Sequence, residues 1–197
     1  AGAGPERLAN VERAVAIAAG ILDSGGSAVE AAVQGCVVLE DDPVFNAGTG
    51  SVFRTDGSVH LDASIQTSEG KMGFVIGMQD TPNPIRVAAG LLDEDINGLS
   101  GDGARIWADS KGFEKSNVQG RPPFEGATDT VGVLARDKHG IIVCATSTGG
   151  TSNRPPGRVG DVPLPGCGFW VQDGVGVGAT GIGEAITRGM ISLRVAD

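Results

Sequence analysis

Apolar residues near the start of the chain recur at three- and four-residue steps, as Leu8, Val11, Val15, Ala18 and Leu22, until Gly25-Gly26 stops the pattern. That period specifies an amphipathic helix, and Pro5 suits its first turn. Ser27 and Glu30 stand in capping-box spacing, and Ala28, Ala31, Ala32, Gly35 and Cys36 give the next helix a face of small side chains that can pack close to a sheet. From Ser51 onward the period shortens. Val52 to Thr55 and Val59 to Leu61 read as two strands around Asp56-Gly57, a type I′ turn signal. Thr130 to Arg136 and Gly140 to Thr146 repeat the hairpin around Lys138-His139-Gly140, and Met72 to Met78, Phe169 to Gln172 and Val175 to Ala179 read as further strands. Pro84 to Leu92, Ala104 to Lys111 and Gly183 to Leu193 read as helices. This order predicts an α+β fold of antiparallel sheet flanked by helices, because a doubly wound parallel sheet needs strict alternation of strand and helix.

A chain of 197 residues with 40% apolar content can bury one core, so a single domain is expected. The 33 glycines cluster as Gly-x-Gly pairs between apolar runs, which implies close backbone approaches rather than low complexity. A net charge of -9 without a basic run argues against nucleic acid or an anionic membrane as the main partner. Cys36, Cys144 and Cys167 are widely spaced in apolar or glycine-rich sequence and read as buried thiols, which favours a reducing compartment. No apolar stretch reaches the length of a membrane span, and no basic leader precedes an apolar segment, so a cytoplasmic location is expected. His60 and His139 are isolated and offer no zinc-binding spacing.

The chemistry concentrates in the second half. The segment from Asn117 through Pro122-Pro123 to Gly126 is polar, proline-rich and unpatterned, and it ends four residues before Thr130. Threonine needs a neighbouring base, and no histidine is suitably placed. Scission of the Asp129-Thr130 bond would supply one, because an α-amine with a pKa near 8 can take the hydroxyl proton. Thr148 closes the adjacent strand, where its hydroxyl can reach Thr130. Arg158 and Asp161 lie three apart in a glycine-bounded loop and offer a fork for a carboxylate and an acceptor for an ammonium, the two charges of an amino acid. Thr180-Gly181-Ile182-Gly183 lies between a strand and a helix, where N–H groups and a hydroxyl can stabilise an oxyanion.

With these residues in view, the sequence resembles the plant-type L-asparaginase and isoaspartyl peptidase family of N-terminal nucleophile hydrolases, related to glycosylasparaginase. The likeness covers Gly2-Ala3-Gly4, the run from Leu39 to Gly50, Leu61-Asp62-Ala63-Ser64-Ile65, Asn83-Pro84-Ile85, and Thr130 to about Arg188. Thr148, Arg158 and Asp161 follow Thr130 by 148 − 130 = 18, 158 − 130 = 28 and 161 − 130 = 31 residues, as the family pattern expects. The resemblance implies a four-layer αββα sandwich and an autocatalytic cut that divides the chain into 1–129, with a linker near 117–129, and 130–197. It implies hydrolysis of L-asparagine to aspartate and ammonia, and removal of N-terminal β-aspartyl residues from dipeptides, without an organic cofactor. Thr130 would be the nucleophile and Thr148 its hydroxyl partner. Arg158 would hold the substrate α-carboxylate and Asp161 the α-ammonium, with Thr180 and Gly181 as oxyanion hole, Gly183 nearby, and Asn46 supporting the nucleophile region. The carbonyls of Leu39, Glu40, Asp42, Phe45, Ala47 and Thr49 would bind a structural sodium ion, and a homodimer of cleaved units is implied. Two readings stand beside this one: a glycosylasparaginase, which Asp129 resembles, and a relative that keeps the fold without processing. Family members also lead in through a strand and His-Gly-Gly-Ala-Gly, and carry Met-Asp-Gly where Gln66-Thr67-Ser68 stands here.

Overall fold

The computed structural model describes residues 5–122 and 130–197. The periodic opening forms α1 (Pro5–Asp23), and α2 (Ala28–Glu40) follows after Ser27, whose Oγ accepts the Glu30 N–H at 3.1 Å. The small face of α2 is buried, and at Gly35 even a Cβ would press on Val133 at 3.3 Å. Small residues thus set the helix close to the sheet, as the sequence predicts.

Five strands make the main sheet, in the order β3 (Gly98–Ser100), β2 (Met72–Met78), β1 (Leu61–Thr67), β5 (Ile142–Thr148) and β4 (Val131–Arg136). All neighbours are antiparallel except β3, which pairs with β2 in parallel, so the sheet is mixed and the expectation of purely antiparallel sheets is corrected. The short β3 leads directly into α4 (Gly101–Ser110), and α3 (Pro84–Gly90) contacts β1 and β2. Ala63, Ile65, Val143 and Ala145 join Ala32, Cys36, Ile85 and Ala88 in one core between helices and sheet. A Cβ on Gly73 would lie 2.0 Å from the Ala88 carbonyl oxygen, so β2 and α3 touch backbone to backbone. Gly73→Ala should therefore destabilise the chain by about 3 kcal/mol in urea unfolding, since neither backbone can yield cheaply. A loss below about 0.5 kcal/mol would contradict that contact.

A second sheet, β6 (Phe169–Gln172) with β7 (Val175–Gly178), contacts β1, β4 and β5, and α6 (Ile191–Ala196) packs on it. The seam between the sheets combines an apolar cluster of Cys144, Phe169 and Val171 with polar bonds. Ser64 Oγ lies 2.6 Å from Thr146 Oγ1 and donates to the Val162 carbonyl at 2.7 Å, while the Gln66 amide bonds both the N–H and the carbonyl of Val171.

Two sequence expectations give way. Val52 to Thr55 and Val59 to His60 do not pair as a ladder: the Arg54 N–H reaches the Ser58 carbonyl across the turn, but the Val52 N–H goes to Asn46 Oδ1, the Phe53 N–H to the Arg121 carbonyl and the Thr55 N–H to the Arg154 carbonyl, while Leu61 opens β1. The helix expected from Gly183 to Leu193 is α5 (Gly183–Gly189) and α6, broken at left-handed Met190 with φ 45°. That break turns α6 so that Ser192 Oγ and Leu193 N–H bond the Cys167 and Gly166 carbonyls. Within the stretch read as a connector, Val118 is buried and the Arg121 N–H bonds the Ser51 carbonyl. Residues 123–129, and with them Asp129, lie outside the described residues, as does Gly2-Ala3-Gly4. All three cysteines are buried free thiols.

Candidate active site

The register of the main sheet builds the site. On β4 and β5 Val131 faces Ser147 and Gly132 faces Thr146, which brings Thr130, the residue just before β4, to the end of β5 that carries Thr148. Across the other edge of β5, Thr148 pairs with Asp62 on β1. Residues opposite one another in an antiparallel pair share a face. Asp62 and Thr148 therefore share a face of β1 and β5, and Thr130 stands beside them at the edge of β4.

Around these residues the loops converge. Thr130, Thr148, Gly150, Thr151, Arg158, Gly160, Asp161 and Gly181 line one cleft, and Thr130 and Thr180 line the groove beside it. A Cβ on Gly183 would stand 2.8 Å from both Arg158 Nη2 and Asp161 Oδ1, so the bare backbone at the start of α5 is what admits the two side chains. The structure thus brings together Thr130, Thr148, Arg158, Asp161, Thr180, Gly181 and Gly183, residues spread over a long stretch of sequence.

Each polar group has a traceable setting. Arg158 donates through Nε and Nη2 to Glu184 Oε1 at 3.1 and 3.0 Å. Asp161 is buried, its Oδ2 has no partner among the described residues, and burial pushes its carboxyl up despite Arg158. Thr148 Oγ1 accepts the Gly150 N–H at 3.0 Å and donates at 3.5 Å to the Asn46 carbonyl. Asn46, fully buried, also takes the Gly149 N–H on its carbonyl and donates Nδ2 to the Gly150 carbonyl. The Asn-Ala-Gly segment is therefore bolted to the turn that follows Thr148. His60 lies just before β1, with Nε2 3.0 Å from Gln79 Nε2, and His139 sits in the β4–β5 turn; neither lines this cleft.

Sequence reasoning missed Asp62, Arg54, Gly150 and Glu184. The alternation Asp62-Ser64-Gln66, polar at every second position, was the available signal for Asp62. Burial pushes the Asp62 carboxyl up to about 6, against the pull of the Gly77 N–H and of Arg54 and Arg158. Between about pH 4 and 6 the folded chain keeps a proton that the unfolded chain has released, so stability falls as pH rises through that window and levels off above it. The size is up to about 3 kcal/mol, and Asp62→Asn should remove that part of the slope in urea titrations at stepped pH. An unchanged slope would show that Asp62 ionises normally.

The loop from Leu39 to Thr49 is a separate place. Cβ atoms on Gly48 and Gly50 would fall 2.5 Å from the Glu40 carbonyl oxygen and 2.1 Å from that of Phe45. Glycine there lets the loop fold tightly onto those two carbonyls, where a side chain would not fit. The Asp42 and Ala47 carbonyls also accept turn hydrogen bonds from Phe45 and Gly50. Among the described residues no group of three or more His, Cys, Asp or Glu side chains could hold a metal, and no helix is long and apolar enough to cross a membrane.

Comparison with known proteins decides the family. The profile of the asparaginase family matches residues 3–121 and 116–197. The chain belongs to the asparaginase family. Its asparaginase-family relatives include a plant-type L-asparaginase of Pyrobaculum calidifontis, 38% identical over 87% of this chain and 66% of its own length. An isoaspartyl peptidase/L-asparaginase of Macaca fascicularis is 37% identical over 95% of this chain and 70% of its own. An isoaspartyl peptidase of Salmonella typhimurium is 33% identical over 89% and 66%. This asparaginase-family chain spans about two thirds of the length of these relatives.

Proposed function

We propose that the chain is an autoprocessing threonine amidohydrolase that hydrolyses L-asparagine and removes N-terminal β-aspartyl residues from dipeptides. The observation that carries this reading is the single cleft in which Thr130 and Thr148 meet Arg158 and Asp161. Family membership and the names of the relatives support it. The contacts of helix on sheet, sheet on sheet and helix on sheet support a four-layer αββα sandwich of the N-terminal nucleophile type.

Scission comes first. Thr130 Oγ attacks the Asp129 carbonyl carbon, the peptide nitrogen leaves to become the Thr130 α-amine, and water hydrolyses the resulting ester. The pieces 1–129 and 130–197 then stay together as one domain. In turnover the amine takes the hydroxyl proton as Oγ attacks the substrate amide carbon, and it returns that proton to the departing ammonia or amino acid. The Thr180 hydroxyl and Gly181 N–H receive the developing oxyanion. Water, deprotonated by the same amine, releases aspartate from the ester. Arg158 and Asp161 hold the head group, and the unpartnered Oδ2 of Asp161 suits an ammonium. Thr148 polarises Thr130, and Asn46 fixes the turn behind it.

A sodium ion would be held by the backbone carbonyls of Leu39, Glu40, Asp42, Phe45, Ala47 and Thr49, a loop whose close backbone packing at Gly48 and Gly50 supports the reading; it would brace the segment that carries Asn46 and take no part in the steps above. No organic cofactor enters this scheme. The active form is proposed as a homodimer of cleaved units in the cytoplasm, where buried free thiols persist.

The test is the N-terminal residue of each fragment in purified protein, with ammonia or amino acid release from asparagine, a β-aspartyl dipeptide and a glycosylated asparagine. Threonine at one new terminus and turnover of the first two substrates are expected. Turnover of the glycosylated substrate alone would make the chain a glycosylasparaginase, and an intact, inactive chain would defeat the proposal.

A further inference from the structure

Arg54 has no role in the scheme above, yet it lies where that scheme's parts meet. Its side chain is 3% exposed, Nη2 donates to the His60 carbonyl at 3.3 Å, and Nε and Nη1 have no acceptor among the described residues. A buried guanidinium with idle donors costs stability, so packing alone does not account for it. Its plane rests on Gly150, where a Cβ would fall 2.5 Å from Nη1, 2.7 Å from Nη2 and 2.9 Å from Cζ. Gly150, at φ +81°, gives its N–H to Thr148 Oγ1 and its carbonyl to Asn46. The turn that orients the Thr148 hydroxyl is thus gripped by Asn46 on one side and by Arg54 on the other.

Asp62 supplies the second observation. It stands beside Thr148 in the sheet, is 1% exposed, accepts the Gly77 N–H at 2.8 Å on Oδ1, and leaves Oδ2 without a partner. The charges acting on Asp62 are Arg54, Arg158 and Asp161, and those acting on Arg54 are Asp62, Arg158 and Asp56. Asp62 is therefore the largest attractive charge on Arg54, and with Asp161 it offsets the two guanidiniums at this end of the sheet.

We propose that Arg54 is a positioning residue of the candidate site: it holds the Gly149–Gly150 turn against Asn46 and serves as counter-charge to Asp62, keeping the Thr148 hydroxyl directed at Thr130. The inference rests on the roles given to Thr130 and Thr148 under the proposed function. It predicts a loss in the chemical step rather than in substrate capture, which Arg158 and Asp161 perform.

Arg54→Met keeps length without charge, and Arg54→Lys returns charge without the flat guanidinium. With asparagine as substrate, Arg54→Met should lower kcat by about tenfold or more while KM changes by less than about threefold, the cost of a slightly misdirected group. Loss of Arg54 removes a cation that holds the Asp62 titration down, so the acid limb of kcat should move to higher pH; Arg54→Lys should bring the limb back and recover part of kcat. A large rise in KM at unchanged kcat would make Arg54 a substrate contact, and unchanged kinetics and pH profile with a lower Tm would make it a purely structural residue; either result overturns the proposal. Titration of the Asp62 carboxyl by NMR reads the Arg54–Asp62 coupling without turnover. An identical Asp62 titration in wild type and Arg54→Met overturns the proposal even if wild type proves inactive, a result that would separately defeat the functional reading.

Discussion

Thr130→Ala should leave the chain uncleaved and reduce ammonia release from asparagine by about 10⁴-fold or more, the scale of loss when an enzyme loses its nucleophile. One side chain is responsible for both effects. In the proposed scheme the hydroxyl that attacks the Asp129 carbonyl is the same one that attacks substrate, and alanine removes it without touching the β4–β5 pairing that begins at Val131. Gel electrophoresis and an ammonia assay on the same preparation read the two together. Thr130→Ser, which keeps the oxygen, should still cleave, more slowly. A cleaved, active Thr130→Ala protein would place the nucleophile elsewhere and dismantle the arrangement of Asp62, Thr148 and Thr130.

Arg158→Met should raise KM for asparagine by about 100-fold, with a smaller fall in kcat. A charge-assisted fork to a carboxylate contributes about 2 to 5 kcal/mol when buried, and Arg158 is the cation among the described residues that line the cleft. Arg158 already donates to Glu184 through Nε and Nη2, so substrate meets a guanidinium that is oriented rather than free. Glu184 is exposed enough for that pair to be worth little by itself, which leaves the substrate contact to dominate the measured change. Steady-state kinetics decide the matter: a variant with unchanged KM would show that the head group binds elsewhere.

Much of this molecule is legible from the chain, and the failures have causes. The helices α1 and α2 and the β4–β5 hairpin are local, set by period, cap and turn residues, and all three are where the sequence predicts them. The segment from Val52 to His60 has strand composition, but the Phe53 and Thr55 N–H groups go to Arg121 and Arg154, partners distant enough that no local rule finds them. Met190 is unremarkable in sequence, and only the docking of α6 on the Gly166 loop calls for its left-handed backbone. In the cleft, Thr130, Thr148, Arg158 and Asp161 could be chosen because their chemistry is explicit. Arg54 and Asp62 could not, since their meaning comes from burial and from register across β1 and β5.

The central strand of the main sheet has a further consequence. β1 belongs to the part of the chain before Thr130 and β5 to the part after it, and they are joined from Asp62–Thr148 to Thr67–Val143, with Gln66 reaching across to Val171. A break in the covalent thread ahead of Thr130 would therefore change the count of molecules without changing the particle. The halves would travel as one body through any native separation and would part only in denaturant, because each is missing the centre of the other's architecture.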